Sequence, residues 1–165
     1  MLHRFTYLPV RGRLEPSYLY LSHLGLKWET ETVAWKEFRV DKRKQRWAFA
    51  GQLPEGNLVD PATNSVIKTT QSGNILKCLA DFHQPAKSVA DRVKRDEFID
   101  ASLDLGYCTR LANFPSTLGK AEDVKEFTKK AKFYFKYLDS AVLGGGSPYL
   151  LESDVTAADF AWCKL

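Results

Sequence analysis

The order of strand and helix patterns changes once along the chain, and this change constrains the fold more than any other feature. Short extended runs rich in Thr and aromatic residues alternate with amphipathic runs in the first half. They predict, in order, a strand, a helix, a strand, a hairpin of two strands and a helix over residues 5–8, 14–24, 28–33, 57–60, 65–70 and 72–79. After residues 83–86, which read as a linker, strand patterns stop.

The second half carries two long helical patterns, over residues 89–111 and 124–142. A third helix is predicted to begin at Thr156, because Asp159 is spaced to complete a capping box. The expected architecture is therefore an α/β domain over residues 1–82 and an all-helical domain over residues 87–165.

Composition limits the class of protein. The chain has 165 residues, 44% hydrophobic and 27% charged, which excludes a disordered chain. Its formal net charge of +4 is mild and requires no nucleic acid. There is no secretory signal or membrane-spanning run, so we expect a cytosolic protein without a membrane partner. The three cysteines have no CxxC spacing, so neither disulfides nor a metal site are expected.

Four segments together resemble the cytosolic glutathione transferases. They are Tyr7–Arg13, Gly51–Pro54, Gln71–Leu76 and Leu150–Phe160, in the order and approximate spacing of that family. The resemblance is closest to the classes that use a tyrosine, and residues 155–162 are similar to the sigma class. It implies a thioredoxin-like N-terminal domain that binds glutathione and an all-helical C-terminal domain that supplies much of the second substrate's pocket.

The resemblance implies that Tyr7 is the catalytic residue. A thiol with a pKa of about 8.5 is only about 3% ionised at pH 7. One hydrogen bond to the charged form, of about 1.5–3 kcal/mol, is enough to correct this. A core or surface tyrosine is the alternative. Residues 8–16 contain neither Ser nor Cys, so the serine-type and cysteine-type mechanisms lack their residue.

The resemblance also implies a set of glutathione-binding residues: Arg13, Gln52, Leu53, Pro54, Gln71 and Ser72. The Leu53–Pro54 bond is expected to be cis, with the Leu53 backbone pairing with the cysteinyl backbone of glutathione. Ser72 is predicted as the N-cap of a helix, where its N–H and hydroxyl can hold the γ-glutamyl carboxylate. It is alternatively an N-cap and nothing more.

Two further residues are implied by resemblance. Asp104 would reach the glutathione of a neighbouring subunit, although it also fits a solvated acidic face with Asp96 and Asp100. Phe114 falls near the second-substrate pocket, with core packing as the alternative.

The family's tryptophan and lysine have no unique equivalents in this chain. Trp35 with Arg39, or Phe38 with Lys42 or Lys44, are the candidate pairs. The basic run over residues 36–46 could also contact nucleic acid. A positive field that attracts the glutathione carboxylates is the simpler interpretation, and we expect no nucleic-acid partner.

The expected function is attack of the glutathione thiolate on a small apolar electrophile by a homodimer, with glutathione as co-substrate and no other cofactor. A glutathione-dependent isomerase or peroxidase, similar to the prostaglandin isomerases, is one alternative. A non-catalytic binding or structural relative is the other. Only six residues follow Asp159, so the helical domain is expected to be incomplete relative to the family.

Overall fold

The computed structural model describes residues 2–38, 52–113, 121–151 and 154–163. Phe114 and the candidate cations at positions 39, 42 and 44 lie outside these residues. The chain divides into two compact units, residues 1–85 and residues 86–165, which we describe separately.

The N-terminal unit follows the predicted order of elements. They are β1 (His3–Tyr7), a 3-10 turn (Gly12–Leu14), α1 (Glu15–His23), β2 (Trp28–Thr32), β3 (Glu55–Val59), β4 (Val66–Thr70) and α2 (Ser72–His83). The sheet order is β2-β1-β3-β4. β1 pairs with β2 in parallel and with β3 antiparallel, and β3 pairs with β4 antiparallel.

Apolar side chains from the strands and from helices α1 and α2 pack together in one core. Helices α1 and α2 contact each other, and α2 contacts β3 and β4. The largest fully buried hydrophobic side chains of this unit are Phe5, Leu14, Tyr20, Leu21, Leu58, Ile75 and Leu79. Helix α1 has Pro16 in its first turn and is followed by Gly25 at φ +67°, a conformation that glycine adopts without penalty.

The helical unit contains α3 (Val89–Asn113), α4 (Ala121–Gly145) and α5 (Ala157–Trp162). Helix α3 contacts both of the others. The predicted capping box at α5 is confirmed, because the Asp159 carboxylate accepts the Thr156 N–H at 2.8 Å. The Trp162 indole N–H donates to the Phe98 carbonyl at 3.1 Å and fixes α5 to α3. Within the described ranges, no helix is long and apolar enough to span a membrane.

Candidate active site

Tyr7 is the last residue of β1 and is only 5% exposed. The Val33 N–H donates to its carbonyl at 2.8 Å, which fixes the backbone. Its hydroxyl oxygen accepts the backbone N–H of Arg13 at 3.0 Å. The phenol therefore satisfies one of the backbone donors that the start of a helix leaves without a partner.

The hydrogen of the Tyr7 hydroxyl remains available. Among the described residues of the N-terminal unit, 2–38 and 52–85, no atom accepts it. A phenol donates one hydrogen bond, and a donor without an acceptor at a buried position is costly unless a ligand or water accepts it. Tyr7 can therefore donate to a group bound beside β1.

The strand register brings three segments to the edge of the sheet where β1 ends. Thr6 pairs with Glu55, so the residues before β3 lie beside the end of β1. Glu55 also pairs with Thr70, so the residue after β4 lies at the same edge. Residues 52–54 and 71–72, which are distant in sequence from Tyr7, thus converge on one side of the unit.

The Leu53–Pro54 peptide bond is cis, as predicted. Pro54 is buried, Leu53 is half-buried and Gln52 is exposed. The side-chain amide of Gln71 donates to the side-chain carbonyl oxygen of Gln52 at 2.7 Å, so the two predicted glutamines contact each other.

The prediction that Ser72 is the N-cap of α2 is wrong by one position. Gln71 is the N-cap, with φ +67° and ψ 120°, and it makes no capping bond through its side chain. Its carbonyl accepts the Ile75 N–H at 2.9 Å. Ser72 is consequently the first residue of the helix and is buried, and its N–H belongs to the first turn, where N–H groups have no intrahelical acceptor.

The remaining predicted residues are less informative. Arg13 is half-buried in the 3-10 turn, and its side chain forms no ion pair with any residue that the structure describes. Asp104 is exposed on α3 in the helical unit, where its carboxylate accepts the Tyr134 hydroxyl at 3.5 Å. Trp35 is 49% exposed.

A surface depression that the sequence did not predict lies between α1, β2 and the segment after β1, and none of the predicted site residues lines it. It has a volume of about 430 Å³ and a mixed lining, in which Leu8, Pro9, Val10 and Leu19 are apolar and Arg11, Glu15, Ser22, Thr30 and Thr32 are polar or charged.

A four-stranded mixed sheet in the order β2-β1-β3-β4, with a cis-proline before β3 and an all-helical unit after it, defines a thioredoxin-like protein of glutathione-transferase architecture. No family model matches the chain, but individual known proteins are similar to it. Glutathione S-transferase P 1 from Xenopus laevis is 30% identical over 159 residues, which are 94% of this chain and 71% of that protein. The chain belongs to the glutathione S-transferase family, as predicted.

Solved structures support the same conclusion for the fold. A glutathione S-transferase from Caenorhabditis elegans superposes with a TM-score of 0.78 at 25% identity, over 96% of this chain and 77% of that one. The monomeric Na-GST-3 from the hookworm Necator americanus superposes with a TM-score of 0.75 at 19% identity, over 98% and 77%. Neither assigns the chain to the sigma class, which stays a prediction.

Proposed function

We propose that the protein is a glutathione S-transferase in which Tyr7 donates a hydrogen bond to the glutathione sulfur. Family membership makes the chain a transferase that uses glutathione. The observation that supports the role of Tyr7 is the hydrogen bonding of its hydroxyl: the oxygen accepts the Arg13 N–H, and the hydrogen has no acceptor among the described residues of the N-terminal unit.

The direction of this hydrogen bond selects the ionised form of the substrate. Because Arg13 already donates to the phenolic oxygen, the hydroxyl is oriented to donate to the sulfur. A donor stabilises a thiolate more than a thiol, since hydrogen bonds to charged groups are about twice as strong as neutral ones. The thiol proton leaves to solvent, the sulfur lone pair forms a bond to the electrophilic carbon, and the leaving group on that carbon departs with the electron pair of the bond that breaks.

The two glutamines and the start of α2 would hold the γ-glutamyl end of glutathione. The N–H of Ser72 lies in the first turn of a 12-residue helix, where the helix dipole favours a carboxylate. The backbone of Leu53, beside β3, would pair with the cysteinyl backbone. Arg13 would attract a carboxylate of glutathione.

The test is conjugation of a chromogenic electrophile by Tyr7→Phe. Loss of one hydrogen bond to a charged sulfur, worth about 1.5–3 kcal/mol, should lower kcat/KM about 10- to 100-fold. Tyr20→Phe is the matched control, because it removes another hydroxyl from a buried ring of the same unit. Equal activity in the two variants would remove Tyr7 from the mechanism.

Analysis of the product distinguishes conjugation from isomerisation, since conjugation consumes glutathione and isomerisation does not.

We further propose a cytosolic homodimer in which Asp104 serves the neighbouring subunit. Family resemblance supports it, together with two exposed valines one turn apart on α3, Val89 at 80% and Val93 at 60%. Sedimentation equilibrium tests the dimer, and a protein that stays monomeric at assay concentration would exclude it. The monomeric hookworm relative shows that the fold occurs without one.

A further inference from the structure

Gly12 lies directly against the functional atom of Tyr7. A Cβ atom added at Gly12 would be 2.8 Å from the Tyr7 hydroxyl oxygen and 3.4 Å from a methyl carbon of Val10. The first distance is shorter than a carbon-oxygen contact allows. Gly12 also has φ +45°, in the region that L side chains rarely adopt.

The same close approach creates the hydrogen bond to Tyr7. Arg13 follows Gly12 in the 3-10 turn, and its N–H reaches the phenolic oxygen at 3.0 Å. The tyrosine has little freedom to retreat, since it is buried and its strand is paired on both sides. A side chain at position 12 must therefore displace either the turn or the hydroxyl.

We propose that Gly12 is a positioning residue for the thiol-activating hydroxyl: its missing side chain lets the turn place the Arg13 N–H on the Tyr7 oxygen and so aims the hydroxyl hydrogen at the substrate. This inference rests on the proposed function. It assigns to Gly12 a role in catalysis that is exerted entirely through Tyr7.

Gly25 provides a matched control for the conformational part of the effect. It also has positive φ, +67°, but a Cβ added there would meet no atom within 4 Å. Gly12→Ala and Gly25→Ala therefore share the left-handed strain, and they differ in the contact with the hydroxyl.

The experiment compares kcat/KM for conjugation, and the pH at which bound glutathione ionises followed by thiolate ultraviolet absorbance, in Gly12→Ala and Gly25→Ala. Because a misplacement of about 1 Å can cost up to about 100-fold, we expect Gly12→Ala to lose about 10-fold or more in kcat/KM. It should also move the ionisation of bound glutathione to higher pH. Gly25→Ala should keep both within about twofold.

A double-mutant cycle with Tyr7→Phe isolates the mechanism. Phenylalanine lacks the hydroxyl, and the next atom of the ring that a Cβ at Gly12 would meet is 3.7 Å away. Gly12→Ala should therefore cost little further activity in the Tyr7→Phe background. If the two losses multiply, or if Gly12→Ala behaves like Gly25→Ala, the inference is overturned.

The failures of the two proposals are distinguishable. If Tyr7→Phe itself keeps full activity, the proposed function fails; if Tyr7→Phe is impaired and Gly12→Ala is not, only the role of Gly12 fails. If Gly12→Ala is too unstable to assay, melting temperatures test whether the added Cβ clashes with the Tyr7 hydroxyl. Removal of that hydroxyl by Tyr7→Phe should then raise the Tm of the Gly12→Ala protein, and an unchanged or lower Tm would contradict the proposed contact.

Discussion

The site at Tyr7 in the N-terminal unit and the start of α5 in the helical unit differ in whether their polar groups have hydrogen-bond partners. At the start of α5, the Asp159 carboxylate accepts from the Thr156 N–H, the Thr156 hydroxyl and the Leu150 N–H, at 2.8, 3.0 and 3.0 Å. At Tyr7, the hydroxyl hydrogen has no acceptor among the described residues of the N-terminal unit. A cluster whose donors all have partners stabilises the fold, whereas a buried donor without one is suited to a ligand.

Replacement of Asp159 gives the largest expected effect on stability. Asp159→Ala leaves three partly buried donors without their acceptor, and we expect the free energy of unfolding to fall by about 3 kcal/mol. Chemical denaturation measures it, with the exposed Asp154→Ala as control. Because the residue has no place in the proposed chemistry, the KM for glutathione of the folded variant should not change. A large rise in KM with little loss of stability would reverse the comparison.

A second interior cluster, the histidine pair of the N-terminal unit, gives the next largest effect. His3 is 1% exposed, and its Nδ1 accepts the Val59 N–H at 3.2 Å, so its Nε2–H donates to His83 Nε2 at 3.0 Å. Burial, with the neighbouring His83, lowers the pKa of His3 from 6.5 to about 4. Burial also lowers the pKa of His83.

The sign of the pH dependence follows from these shifts. The unfolded chain binds protons at His3 from about pH 6.5 downward, and the folded chain only near pH 4, so stability is lost as the pH falls through this window. The full shift corresponds to about 3 kcal/mol, and because His83 is partly exposed and screened by water we expect about 2 kcal/mol. Denaturation at several pH values measures it.

Histidine variants provide the control for that window. His3→Gln should flatten the pH dependence between pH 6.5 and 4, while replacement of the exposed His23 should leave it intact. If His3→Gln and His23→Gln have the same profile as the unaltered protein, the paired histidines do not govern acid stability.

The sequence predicted what local patterns determine. Strand alternation and the two long helical patterns are properties of short windows, and the order of elements followed from them. The cap of α2 was misplaced because the left-handed conformation of Gln71 is imposed by its surroundings, and glutamine has no local preference for it. The demand for glycine at position 12 likewise comes from a tyrosine ring that only the folded chain brings against it.

Gln71 gives the smallest expected change in stability and the sharpest test of how site and scaffold differ. A non-glycine residue at φ +67° is strained, so Gln71→Gly should raise the free energy of unfolding by about 0.5–1 kcal/mol. The same change removes the amide that contacts Gln52, and glutathione affinity should fall about 10-fold.

Asn64→Gly is the matched control, since Asn64 has φ 57° in the turn between β3 and β4. It should change stability less, because asparagine adopts positive φ with little strain, and it should leave glutathione binding unchanged. Calorimetric titration with glutathione and denaturation of both variants measure the two quantities. If Gln71→Gly gained stability with no loss of affinity, the strain at Gln71 would have no function in binding.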